Sequence, residues 1–525
     1  MAYKFTKTLY GMLTGVVLLL IIFFQSWSYV CKKHFLITNP VILLILFSLF
    51  CLCAVVYGLA VKQQWTFPAR CKKMDLDKLV GFLTVILFIG QAYVFYNIFF
   101  LSGWDAAVLR GSVQLLDRGD VAEFVREFEL YYSRYPNNIV LANVCRLILK
   151  INAEIGVFYG DHVMMSCVLF TCVINSLTCY MIYKTVGLFA GKKTAFVGYC
   201  LGVLLIGISP WTVIFYSDSV GLIFPIMSFY LYARPVSKKG WRYICRAGSV
   251  LLATVGYFIK PQCVIVLIAI LGVEFLRLFH KFHPKKLIKP AAIGLVFAIG
   301  FAGATAFTNG TMQRIGLDID EEKTFGMTHF FMMGNNEEYG GAYSMEDVNF
   351  SGSFSTAAER KQANIEKAVA RLKEMGLGGY LKHVSKKMLV AFNDGTFAWS
   401  GEGNFYQKTL EVPATRMASF LKSFYYRTGS RYEYFHLLAQ MVWIAVLIGA
   451  FASCLFKHPK PSERSLSILW LSAVGIILFM ALFEVRARYV YIFAPIFCVL
   501  ASVGYRKLFF LAKSGIDRRL AKRGK

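Results

Sequence analysis

The sequence predicts an all-α polytopic membrane protein of about twelve transmembrane helices with two large extracytoplasmic loops, and three observations lead there. The first is composition: the 525 residues are 57% hydrophobic and only 17% charged, with a mean hydropathy of +0.54. The second is the recurrence of apolar runs of about 20 residues, long enough to cross a hydrocarbon core of about 30 Å. Backbone groups in lipid must bond internally, so such runs form helices. The third is the way Lys and Arg divide between the segments joining the runs.

The first run, 9–30, follows Lys4 and Lys7 and resembles a signal peptide. It runs past about 15 apolar residues and lacks a small-residue cleavage site, so a retained first helix is expected. Spans follow at 40–61 and 79–101, completing an N-terminal unit over 1–101. Residues 102–162 form a first large loop. Within it, Ile139, Leu141, Val144, Leu147 and Leu149 alternate with Arg146 and Lys150. That stretch is too short and too charged for a span and reads as an amphipathic helix at the interface. Six central spans are expected within 163–308, at 163–183, 194–214, 217–233, 243–259, 262–279 and 289–308. A second large loop covers 309–435, with an amphipathic stretch at 358–374. The spans 437–456, 466–483 and 489–511 and a basic tail complete the chain over 436–525.

With the N-terminus cytoplasmic, the segments 1–8, 62–78, 184–193, 234–246, 277–289, 457–464 and 512–525 carry 29 Lys and Arg. The short loops on the other side offer Lys32, Lys33, Lys260, Arg486 and Arg488. This positive-inside pattern puts both termini in the cytoplasm and both long loops outside. It also accounts for the net charge of +27 without nucleic-acid binding. The 13 Cys lie mostly in apolar runs, as do Cys51, Cys53, Cys167, Cys172 and Cys179, and no CxxC or Cys/His spacing suggests a metal site. They read as small buried hydrophobes. There is no P-loop and no GxGxxG after a strand, so chemistry is expected on the outer side. Nothing in the sequence calls for a cofactor.

The unusual polar residues all emerge at that one boundary. Asp105 follows the third span, Tyr135-Pro136 precedes the interfacial helix, and Tyr216-Ser217-Asp218 opens the sixth span. Lys260 lies between the seventh and eighth spans, and Glu484, Arg486 and Arg488 join the last two. Ionisable residues at a membrane are costly and often functional. Each also has a plainer reading. Lys260, Arg486 and Arg488 would serve as snorkelling anchors, Asp218 as a helix N-cap, Asp105 as a loop acid and His329 as a packed loop residue. Asp318-Ile319-Asp320-Glu321-Glu322 imitates a DxD metal motif but reads as solvated loop.

At these residues the chain resembles the membrane-embedded glycosyltransferases of the GT-C class, in particular the family 39-like group of protein O-mannosyltransferases and aminoarabinose transferases. Asp105 is similar to the acid of that group's first external loop, although Ala106 stands where its second acid would be. Tyr135-Pro136 resembles the Pro turn, Asp218 the span-opening acid and Lys260 the external Lys. Glu484–Tyr489 resembles the Glu-x-x-x-Arg-Tyr segment before a closing helix. The resemblance implies a bacterial envelope enzyme in the cell membrane. It would use a polyprenyl-phosphate sugar as donor and an envelope glycan, lipid or protein as acceptor. Asp105 would then be the base of an inverting transfer, and Lys260, Arg486 and Arg488 the donor-phosphate ligands. Asp218, Tyr135, Tyr216, Glu484 and His329 would contact substrate. A multi-pass transporter or lipid-linked glycan flippase is the alternative; such proteins place charges near the midplane on broken helices.

Overall fold

The structure is a computed structural model that describes residues 2–24, 27–30, 33–36, 48, 75–278, 284–403, 406–409 and 415–523. The run expected at 40–61 lies outside the described residues apart from Ser48. What is described is an all-α membrane bundle with a few short strands. Eight of the described helical stretches are long and apolar enough to cross a membrane.

Helix α1 (Ala2–Phe24) begins and ends earlier than the expected 9–30. Tyr10 is fully buried and stacks on Trp470 at 6.1 Å, while Thr6 and Thr14 return their hydroxyls to Ala2 O and Tyr10 O. The two threonine hydroxyls are thereby satisfied inside the helix, which lets the helix start ahead of the apolar run. Beyond Phe24 the strands β1 (Trp27–Val30) and β2 (Lys33–Leu36) pair antiparallel, Tyr29 opposite His34. Aromatic and β-branched residues there favour the pleat.

Helix α2 (Leu76–Asn97) is capped by the Asp75 side chain and turns Phe82, Val85, Ile86 and Ile89 outward. A continuous apolar outer face of that kind belongs against lipid. Strand β3 (Phe100–Ser102) leads into three amphipathic helices, α3 (Trp104–Arg118), α4 (Val121–Arg134) and α5 (Asn138–Ile155). The interfacial helix expected at 139–151 falls within α5. Its residues Leu147, Ile151 and Ile155, four apart and thus on one face, are all exposed.

The span expected at 163–183 and the first part of that expected at 194–214 fall on α6 (Met165–Gly202), which is interrupted at Gly191 (φ 77°, ψ 166°), a backbone conformation open to glycine. After Gly202 the chain unwinds through a π turn, Val203–Gly207, and a tight turn, Pro210–Val213. The carbonyls this frees are taken by side chains: Asn175 donates to Ile206 O at 3.0 Å and Gln91 to Gly207 O at 2.7 Å. Gln91 also accepts from Ser176 at 2.9 Å, and Asn175 donates to Thr212 Oγ1 at 2.7 Å. Every residue from 209 to 223 is buried, as irregular backbone within a membrane bundle requires.

Helices α7 (Ser217–Gly221), α8 (Ile223–Ala233), α9 (Lys239–Ile259), α10 (Ile265–Leu278) and α11 (Ile288–Arg314) continue the bundle. The second loop is built from α12 (Met327–Gly334), α13 (Met345–Gly352) and α14 (Ala357–Phe392). A Thr356/Glu359 capping box opens α14, whose first arm covers the stretch expected to be amphipathic. The helix bends at Gly376 (φ 59°) and its second arm enters the core at Met388–Phe392. Strand β4 (Tyr406–Thr409) then pairs with β3, which ties the two loops together. Helices α15 (Arg416–Tyr425), α16 (Tyr432–Leu455), α17 (Lys460–Leu482), α18 (Ala487–Tyr491) and α19 (Ala494–Arg523) follow.

The bundle centres on α19, which packs on α16 and α6. Ile496 and Cys498–Ala501 are fully enclosed. A Cβ on Gly504 would lie 2.0 Å from Gly449 O. Two glycines therefore let the α16 and α19 backbones touch, the small-residue device of membrane helices.

Candidate active site: a buried charge cluster beside a half-exposed aspartate

Four segments meet where α2, α9 and α17 end and α7 begins. The first follows β3. Trp104 has φ 47°, a left-handed conformation that strains a non-glycine residue by about 1–2 kcal/mol. That backbone sets the Trp104 indole edge-on to Tyr216 (4.9 Å) and 4.5 Å from the Arg488 guanidinium. It also starts α3 so that Asp105 lies in the first turn. Tyr216 donates to Asp105 Oδ2 at 3.0 Å. Burial, with the charge of Asp105 and the neighbouring Tyr216, pushes the Tyr131 phenol well up, so Tyr131 stays a neutral neighbour of the carboxylate. Asp105 is half-exposed.

The second segment is α7. Asp218 is buried and does not cap the helix; its carboxylate bonds Lys260 Nζ at 2.5 Å and lies 3.6 Å from Arg488 Nη1. Lys260 stands at the end of α9, with its ammonium 4.3 Å from the centre of the Tyr489 ring. Lys260 and Arg488 are 6% and 7% exposed, which rules out snorkelling anchors.

The third segment is the turn between α17 and α18. Its backbone is held from the second loop, with Glu484 N donating to Phe330 O (3.0 Å) and Val485 N to Gly341 O (2.9 Å). Glu484 accepts from Arg486 Nε at 2.9 Å and from Tyr489 Oη at 3.0 Å. Burial opposes ionisation of Glu484, but the two arginine charges outweigh it and hold the carboxyl below its ordinary range. Beneath the turn, the buried Lys387 Nζ donates to Gly334 O (2.8 Å), Ala481 O (2.9 Å) and Phe483 O (2.8 Å). Burial pulls its pKa down to about 7. Three carbonyl acceptors for three protons favour the ammonium form. This staple fits only because Gly334 has no side chain: a Cβ there would lie 2.4 Å from the Phe483 carbonyl carbon.

The fourth segment, 393–403, was not singled out in the sequence. Asp394 accepts from Thr396 N and Oγ1 (both 2.7 Å) and from Ala398 N (3.0 Å). Around it Phe397 (φ 54°) and Ala398 (φ 62°) take left-handed backbone. Trp211 and Trp399 brace the loop edge to face at 5.6 Å, and Trp211 Nε1 donates to Thr396 O at 3.1 Å. The loop delivers Glu402, whose Oε2 lies 3.2 Å from both Arg486 Nη1 and Arg488 Nε. The Asn393-Asp394-Gly395 and Gly401-Glu402-Gly403 runs were the available signals, because such residues mark special backbone.

The structure thus gathers Asp105, Tyr216, Asp218, Lys260, Glu484, Arg486 and Arg488, and adds Glu402. Tyr135 stands at the rim, its phenol pushed up by burial and by Asp105, Tyr343 and Glu484. His329 is a packed loop residue: it is 1% exposed, shares a 2.7 Å hydrogen bond with Ser351 Oγ and stacks on Phe325 at 4.4 Å. Burial drives its pKa down to about 4, so it is neutral. Asp320 caps a turn through Glu322 N and pairs with Lys323, while Glu322 accepts from Ala357 N. The acidic run is therefore loop architecture.

Strained backbone at two of the four segments, the buried Lys260 and Arg488 with the half-buried Arg486, and one accessible carboxylate are the marks of a functional site. Counting Asp105, the cluster has four carboxylates against three cations. Arg488 Nε, Asp218 Oδ2 and Glu402 Oε2 are buried without an aligned hydrogen-bond partner among the described residues. A family described as conserved hypothetical integral membrane protein matches residues 1–508. No curated protein matches the chain.

Proposed function

We propose that this chain, which belongs to that family of conserved hypothetical integral membrane proteins, is a glycosyltransferase that moves a sugar from a polyprenyl-phosphate donor to an envelope acceptor. The observation that carries the reading is the half-exposed Asp105 carboxylate, oriented by Tyr216 and adjoining a network of three cations, two of them buried. The reading takes the chain across the cell membrane twelve times, both termini cytoplasmic and the cluster outside, on the strength of the Lys and Arg distribution.

In this scheme the acceptor hydroxyl attacks the anomeric carbon from the face opposite the phosphate and passes its proton to Asp105. The bond from the anomeric carbon to the phosphate oxygen breaks, and polyprenyl phosphate leaves as an anion that needs no general acid. Inversion follows from a single displacement. Arg486 and Arg488 receive the phosphate, Arg488 through its unaligned Nε–H. Since the cations are already paired, the phosphate enters by taking a guanidinium from a carboxylate. Glu402, which lies against both arginines, is the one it displaces. Asp218 keeps Lys260 and Arg488 in place.

The test is release of polyprenyl phosphate from synthetic polyprenyl-phosphate sugars by purified protein in detergent. Asp105→Asn should lower the rate by about 100-fold or more with the fold retained, the usual share of a general base. Near-normal turnover by that variant would refute the assignment. A second reading, a transporter or lipid-linked glycan flippase, is favoured by one feature: the broken helix at 203–216 with Gln91, Asn175, Ser176 and Thr212 beside it. Vesicle uptake without sugar transfer would select it.

A further inference from the structure

We propose that the opposite end of the bundle carries a binding site for a phosphate-type anion, built on Arg246, Arg277, Lys289 and Arg464 around Glu274, and that its occupant is an anionic phospholipid headgroup. Arg246 lies about 20 Å along α9 from the Lys260 end, at 1.5 Å per residue, so the two clusters are separate. Glu274 of α10 is buried and accepts from Tyr232 Oη at 3.4 Å. Arg464 of α17 pairs with Glu274 and donates to Tyr232 Oη at 2.5 Å, while Arg277 Nη1 is 3.8 Å from Glu274 Oε1. The Arg246 and Arg464 guanidinium carbons stand 5.5 and 5.3 Å from the Tyr232 ring centre. Lys289, at the start of α11, is close enough to feel Arg464, Glu274, Arg246 and Arg277.

Four cations around one carboxylate leave a surplus of positive charge at a place where three membrane helices begin or end. The Nε–H groups of Arg246 and Arg464 are buried with no hydrogen-bond partner among the described residues. A buried unsatisfied donor is expensive, and on two guanidiniums at once it marks a place for an acceptor-rich anion; phosphate oxygens meet arginine forks well. The surroundings select a lipid over a soluble anion. Trp241, Tyr243 and Ile244, in the first turns of α9, are 59%, 58% and 59% exposed, and Ile288 beside Lys289 is 65% exposed. Exposed aromatics at helix ends are interfacial anchors, and basic pockets between helices take anionic headgroups.

The experiment is native mass spectrometry of protein exchanged from mixed micelles of phosphatidylglycerol and phosphatidylcholine, scoring retained lipid. Wild-type protein should retain phosphatidylglycerol preferentially. The triple variant Arg246→Gln, Arg277→Gln, Lys289→Gln, which keeps the Arg464–Glu274 pair, should lose about tenfold or more of that preference. Glu274→Gln should raise it, a direction that a folding defect would not produce. Lys78→Gln, Lys184→Gln, Lys193→Gln, an equal charge loss elsewhere, should leave it unchanged. Displacement of the lipid by millimolar inorganic phosphate supports the same anion chemistry. Thermal protection by phosphate with no phosphatidylglycerol preference supports the anion site and assigns it a soluble source. The proposal is overturned if neither probe binds, if the first triple variant retains lipid as wild type does, or if the control triple loses as much.

Discussion

Replacing Glu402 by Gln tests the charge cluster most directly, because this carboxylate holds two arginines at once. Its Oε2 is 3.2 Å from Arg486 Nη1 and 3.2 Å from Arg488 Nε. At an effective dielectric of 20, each contact is a gross attraction of about 5 kcal/mol. Desolvating the carboxylate in the folded state takes back several kcal/mol. Both arginines also keep a second acid, Glu484 at 2.9 Å for Arg486 and Asp218 at 3.6 Å for Arg488. The net loss should therefore be about 2–3 kcal/mol, below the 3–5 kcal/mol of a fully orphaned buried charge. The assay is unfolding in mixed micelles followed by tryptophan emission, to which Trp399 and Trp211, on the same loop and its brace, report. Because Glu402 is the carboxylate that donor phosphate would displace, the same variant should bind polyprenyl-phosphate sugar more tightly despite its lower stability. A variant as stable as wild type would refute the buried network, and weaker donor binding would refute displacement.

Two further outcomes follow from the geometry. Asp218→Asn leaves Lys260 as a buried cation without its 2.5 Å partner and should cost about 3–5 kcal/mol; adding Lys260→Met should recover a large part of that, and a double-mutant cycle in the same unfolding assay that shows purely additive losses would contradict the pairing. His329 is held neutral by burial, with a pKa near 4 against 6.5. A base with a depressed folded pKa stabilises fully above pH 6.5 and loses that contribution as pH falls toward 4. The second loop should therefore weaken by about 3 kcal/mol across that window. His329→Asn should flatten the profile by up to one proton; an unchanged slope would place the titration elsewhere.

That this is a helical membrane protein was legible in the chain alone, because hydrophobic length and the need to satisfy backbone bonds are local properties. It also marked most of the charged residues that converge. Asp105, Asp218, Lys260, Arg486 and Arg488 were legible as polar interruptions at the ends of apolar runs. How those charges are partnered depends on contacts between distant elements. Glu402 lies in a loop whose conformation depends on Asp394 accepting three hydrogen bonds and on Trp211 packing from 188 residues away in sequence. Lys387 lies beyond the amphipathic stretch read at 358–374, and only the bend at Gly376 sends it beneath the Phe483 turn. His329 carried both a packed-loop and a substrate-contact reading in the sequence, and the burial that keeps it neutral comes from Phe325, Ser351 and their neighbours. Which boundary a charge comes out at is set by nearby chain; whether it meets phosphate, carboxylate or carbonyl is set by elements hundreds of residues apart.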